Sequence, residues 1–138
     1  MTQEDKELLL QDLCARLPYG VKCCIYNFGE DTVRIKEDVL WSVQGDNILT
    51  LKSYVENGEA YMYHQIRPYL FPLSSMTDKQ KNEYQYITER WMNDPAYSIS
   101  DSIDWLNENH FDYRGLIEKG LAIDATGTDI YDVPEELL

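Results

Sequence analysis

Within "NILTLKSYVENGEAYMYHQIR", residues 47–67, the dipeptide Asn57-Gly58 constrains the fold most sharply. A two-residue type I′ turn needs positive φ at both central positions, which asparagine and glycine tolerate best, and its twist matches that of paired strands. The dipeptide therefore predicts a β-hairpin with Glu56 opposite Glu59, Val55 opposite Ala60, Tyr54 opposite Tyr61, Lys52 opposite Tyr63, Leu51 opposite His64 and Leu49 opposite Ile66. Because strand side chains alternate, Leu49, Leu51, Val55, Ala60, Met62 and Ile66 are expected on a buried face. Thr50, Lys52, Tyr54, Tyr61, Tyr63 and Gln65 then form a polar, tyrosine-rich one.

The segments around this hairpin complete the order of elements. Upstream, Thr2 is placed to cap a helix with acids in its first turn, and Leu9, Leu10, Leu13 and Leu17 recur at helical spacing until "PYG" at 18–20. From Val21 the pattern turns to strands: "VKCCIYNF" is apolar on both alternations, "TVRIK" on one, and "FGED" and "QGDN" supply turns. Downstream comes "IRPYLFPLSSMTDKQ", where Pro68 and Pro72 argue against a continued central strand, so the sheet is expected to end there in a rigid joint. Tyr69, Leu70 and Phe71 would pin that joint to the core. Thr77 with Gln80 forms a capping box for a second helix that stops before "NDP" at 93–95, and Ser100 or Asp101 caps a third through "DSIDWLNENH". A fourth is expected to start at Asp112 and end at Gly120, with Leu121 making the apolar contact of a left-handed cap. Residues 122–138 are turn-rich and acidic and read as a partly flexible tail with a short turn at "PEELL".

One helix, about four strands and three shorter helices make an α+β chain, with a curled antiparallel sheet covered by helices and an SH3-like or Sm-like barrel as its nearest analogue. At 138 residues it has the length of a single domain, 1–138, and 43% hydrophobic with 12% aromatic residues suit a packed core. No stretch approaches the roughly 20 apolar residues of a membrane span, and "MTQEDKELLL" opens with acids where a signal peptide would be basic. The expected compartment is therefore the cytoplasm, where Cys14, Cys23 and Cys24 would be reduced thiols.

Charge narrows the partners. The net charge is −13, and residues 94–138 hold 11 acids against only Arg114 and Lys119. Such a field repels nucleic-acid phosphates and anionic lipid, so no direct nucleic-acid or membrane binding is expected. It disfavours reading the C-terminal helices as a helix-turn-helix and suits a basic protein partner.

Catalytic chemistry finds little support. Cys14, Cys23, Cys24, His64 and His110 are ligand types for zinc, but adjacent Cys23 and Cys24 point to opposite faces of a strand and no C-x-x-C or H-x-x-x-H occurs. His64 reads as a core histidine, and His110 as one set against a helix dipole. A cysteine–histidine pair oriented by Asp112 is conceivable as a small enzyme, yet nothing in the spacing brings the three together. In "HFDYRG", Asp112 serves equally as a cap and Arg114 as an ion-pair partner. No catalytic residue, cofactor or metal is expected.

"KELLLQDLCARLPYGVK" at 6–22, "IRPYLFPLSSMT" and "WLNENHFDYRGLIEKGLAIDA" resemble a group of uncharacterised small proteins from gut Bacteroides and relatives, including their phages and prophages. The resemblance covers about half the chain and omits the strands from Ile25 to Gln65. It implies a bacterial or phage cytoplasmic protein and carries over no activity. Two binding functions follow from the residues themselves. The first is an adaptor or regulator that docks a protein through Lys52, Tyr54, Tyr61 and Tyr63, extended by Tyr69 and Phe71, unless a helix covers those tyrosines. The second is an acidic decoy whose carboxylates imitate DNA phosphates and inhibit a nucleic-acid-binding protein.

Overall fold

Thr2 begins the first helix, α1 (Gln3–Arg16), by the reciprocal bonds of a capping box: its hydroxyl accepts from the Asp5 N–H, and the Asp5 carboxylate accepts from the Thr2 N–H. In the computed structural model, which describes residues 1–28, 33–56, 58–93 and 99–132, α1 buries Leu9 and Leu13 together with Asp12 and Arg16. Gly20 follows at φ 65°, a left-handed conformation that lets the chain turn back into the sheet.

Three antiparallel strands come next: β1 (Lys22–Phe28), β2 (Val33–Gln44) and β3 (Asn47–Thr50). The "QGDN" turn is present, with Gln44 paired to Asn47, whereas "FGED" lies outside the described residues except for Phe28. β4 (Tyr61–Met62) pairs with β3, and a 3-10 turn at Tyr63–Gln65 leads into β5 (Ile66–Pro72), which returns to pair with β1. The strands lie in the order β4-β3-β2-β1-β5. Leu9 and Leu13 of α1 pack against the sheet in one core with Ile25, Leu40, Ile48, Tyr61, Ile66 and Leu70. Each large aliphatic side chain buried there contributes about 1.5–3 kcal/mol.

The hairpin expected at Asn57-Gly58 is absent, because residues 51–56 form a short helix, α2 (Leu51–Glu56), between β3 and β4. Two local devices favour the helix. Asp38, from β2, accepts from the Lys52 and Ser53 N–H groups at the helix start, and Gly58, at φ 64°, donates to the Ser53 carbonyl at 2.8 Å. The glycine that would have turned a hairpin instead closes a helix, and Asn57 lies outside the described residues. The expected faces fail with the register. Ile48 and Tyr61 are buried, while Leu51, Val55, Ala60 and Met62 are exposed.

Nor does the sheet end at Pro68, since both prolines are part of β5. Backbone N–H groups alternate between a strand's edges, so Pro68 and Pro72 leave their gaps on the edge they share with Leu70. On that edge β7 (Ile123–Asp124) pairs at Tyr69 and Leu70, between the two prolines, and the Leu70 carbonyl takes the Ala125 N–H at 2.8 Å. On the other edge the Phe71 N–H donates to the His110 carbonyl at 2.8 Å, beside β6 (Phe111–Asp112). Both β6 and β7 run parallel to β5, so the sheet is mixed rather than purely antiparallel.

Helices α3 (Asp78–Asn93) and α4 (Ile99–Glu108) follow, and the Thr77–Gln80 capping box is present, but α4 already starts at Ile99, so Ser100 and Asp101 lie within its first turn rather than capping it. Tyr84 and Ile87 of α3 pack with Trp105 and Leu106 of α4 and with Phe111 in a second cluster. Residues 113–120 form successive turns rather than a fourth helix. Asp112 still caps them, accepting from the Leu116 and Ile117 N–H groups, and Gly120 still adopts a left-handed φ of 72° before buried Leu121. Residues 122–132, expected to be a flexible tail, are built into the fold by β7 and by buried Ala122, Ala125 and Ile130. The "PEELL" turn lies outside the described residues.

Candidate docking surface

On α2, Leu51, Tyr54 and Val55 stand at i, i+3 and i+4 and so share one face, and that face points to solvent. Val55 is 72% exposed and Tyr54 52%. Beside them, β2 carries one extra residue: Leu40 pairs with Thr50 but Ser42 with Leu49, so Trp41 is the bulged position. A bulge re-aims a side chain, and here it sends the indole outward, 50% exposed, to stack on Tyr54 with ring centroids 6.0 Å apart. Four large apolar side chains thus meet on one surface.

The opposite side of α2 overhangs a cleft of about 320 Å³ lined by Ile25, Glu37, Asp38, Lys52, Ser53, Glu56 and Tyr61. Asp38 is committed to three backbone N–H groups, those of Val39, Lys52 and Ser53. Glu37 and Glu56 are exposed at the rim. Ser53, buried, fixes the helix from beneath by donating its hydroxyl to the Glu59 carbonyl.

The six residues expected to bind a partner do not form one face. Lys52 and Tyr54 are exposed on α2, but Tyr61 is a core residue at 6% exposure. Tyr63 is half-buried in the 3-10 turn under the Lys6 ammonium, 4.7 Å from its ring centre. Tyr69 lies on the far face of the sheet by Cys24, where burial and that thiol hold its hydroxyl pKa well above the usual value. Phe71 packs against Phe111 and Tyr131 in the second cluster. Trp41, Leu51 and Val55 were missed. The phase of "VLWSVQ" carried a signal for Trp41, because core residues Leu40 and Val43 have opposite parity and so require a bulge between them.

The remaining polar groups are structural in placement. Buried Asp12 holds Arg16 and Arg114, each at 2.8 Å, and Arg16 also donates to the Phe111 carbonyl at 2.6 Å, so this ion cluster ties α1 to β6. His110 is not the dipole-bound cation expected: burial first, then Arg16 and Lys22, lower its pKa to about 4, and its ring stacks on Tyr131 at 3.8 Å. Its φ of 62° is the one positive value among described non-glycine residues. His64 is exposed rather than buried. Cys14 is exposed on α1, whereas Cys23 is buried, which pushes its thiol pKa up. Among the described residues no cluster of histidine, cysteine and acid is arranged to hold a metal, and no helix is long and apolar enough to cross a membrane. Comparison with protein-family models, curated proteins and solved structures found no match to the chain.

Proposed function

We propose that this chain acts by binding, as a small adaptor or regulator that docks a protein partner on the outer face of α2. The observation that carries the reading is the Trp41–Tyr54 stack, two large aromatic rings held in the open by a β-bulge and a capped helix. Tryptophan and tyrosine dominate binding energy at protein interfaces, and contiguous exposed apolar surface marks sites of association. The resemblance to Bacteroides phage and prophage proteins supports a bacterial cytoplasm as the setting. The double variant Trp41→Ala/Tyr54→Ala tests this. It should keep the thermal unfolding midpoint within a few degrees, because both rings are half exposed, yet lose the bacterial protein that the parent chain retains in affinity capture. Identical capture by parent and variant would sink the proposal.

A second reading, the acidic decoy, draws on Asp101, Asp104 and Glu108, which line a groove along α4 beside Trp105. It requires capture of a nucleic-acid-binding protein that weakens with salt and is lost in Asp104→Asn/Glu108→Gln but kept in Trp41→Ala.

A further inference from the structure

We infer that the α2 surface takes a basic, amphipathic segment of its partner, with apolar side chains on Trp41, Tyr54 and Val55 and one lysine or arginine in the cleft beneath the helix; the inference rests on the docking reading above. The cleft has the two-part chemistry of such a side chain. Ile25 and Tyr61 offer apolar walls to a methylene stem, and Glu37 and Glu56 offer carboxylates to its charged end. The Asp38 carboxylate adds negative charge without being free to bind, its oxygens already receiving three N–H groups, and Lys52 is the one cation among the described residues of the lining. Cleft and apolar face lie on opposite sides of a six-residue helix, within reach of one segment crossing it. The net charge of −13 favours the approach of a cationic segment and repels an acidic one or a phosphate backbone.

The test uses three fluorescein-labelled peptides of about 16 residues, with the same leucine stripe at helical spacing and with lysine, glutamine or glutamate at every polar position. Fluorescence anisotropy with the full chain should show the lysine peptide binding most tightly, with affinity falling as salt rises from roughly 50 to 300 mM. Trp41→Ala should weaken it about tenfold or more, and so should Glu37→Gln/Glu56→Gln, whose positions are exposed and leave the fold intact. Asp104→Asn/Glu108→Gln on α4 is the control and should leave binding unchanged. Equal loss in the two acid pairs would overturn the cleft assignment, reducing the attraction to net charge. Glutamine and lysine peptides binding alike, both lost in Trp41→Ala, would overturn the basic occupant and leave the docking face standing. No dependence on Trp41 for any peptide would overturn both.

Discussion

Asp12 and His110 show how much of this fold rests on polar side chains withdrawn from water. Asp12 is fully buried and neutralised by Arg16, also fully buried, and by Arg114. Removing one partner of such a set leaves an uncompensated buried charge, so Asp12→Ala should lower stability by about 3–5 kcal/mol in urea titrations. Asp12→Leu/Arg16→Met together should lose less than that single change. His110 gives a pH dependence of definite sign. Its pKa lies near 4 in the fold, through burial and then Arg16 and Lys22, against 6.5 ordinarily, so between those values the unfolded chain binds a proton that the folded chain refuses. The contribution is complete above about pH 6.5 and is lost as pH falls toward 4, amounting to about 2 kcal/mol once solvent screening of the partly exposed ring is allowed for. His110→Asn, which tolerates the positive φ, should therefore lose less stability than the parent between pH 7.5 and pH 4.5 when both are unfolded in urea. Neither role was legible in the sequence. Arg16 and Asp12 read as ordinary helix-surface charges until β6 is brought against α1, and His110 read as a cation because its two basic neighbours are 94 and 88 residues away.

At the scale of elements, α2 decides both the fold's main surprise and the candidate surface. Asp38 holds its first turn, so Asp38→Ala should cost about 0.5–2 kcal/mol, the range for losing an N-terminal cap, and should also loosen Tyr54 from Trp41. Near-ultraviolet circular dichroism and urea unfolding read the two effects, and an unchanged aromatic signal would show that the stack does not depend on the cap. Gly58→Ala should cost about 1–2 kcal/mol, since φ is positive there although a methyl group would meet nothing within 4 Å. Helices with strong local signals were legible: the Thr2 cap with its first-turn acids and leucine spacing, and the Thr77–Gln80 capping box, needed no tertiary help. The "LKSYVENG" segment was not, because alternation in six residues fits a strand as well as a helix turned outward, and the deciding cap comes from Asp38, 14 residues upstream. The same cause scattered the expected binding residues. A helix in place of a hairpin arm left Tyr61 in the core, where it reaches the candidate surface only as part of the cleft lining, and exposed Leu51 and Val55, so of the six expected residues Lys52 and Tyr54 alone stay exposed there.

For the molecule as a whole, β5 is the hub, and the chain after Gly120 is the strap that closes it. Leu70 belongs to the main core while its neighbour Phe71 packs in the α3–α4 cluster, so one strand couples the two. Tyr131 completes that coupling at the point where β1 and β5 splay. Its hydroxyl accepts from the Lys22 N–H at 2.9 Å and donates to the Tyr69 carbonyl at 2.7 Å, standing in for a ladder hydrogen bond, while its ring stacks on His110 and packs on Phe71. Burial raises its pKa, which keeps that donor proton in place at neutral pH. Tyr131→Phe preserves the ring but leaves a backbone donor and a backbone acceptor without their partner, a loss of about 1–3 kcal/mol. If the strap is integral to one cooperative structure, tryptophan fluorescence and far-ultraviolet circular dichroism will report a single shared urea transition in parent and variant, shifted lower in the variant with its slope unchanged. Hydrogen exchange locates the effect: the Lys22 amide should exchange faster in Tyr131→Phe even under conditions where the Ile25 amide, deeper in β1, remains protected. Equal exchange at Lys22 in the two proteins would mean that β1 and β5 close without the tyrosine, and a second, earlier transition would mean that the strap unfolds on its own.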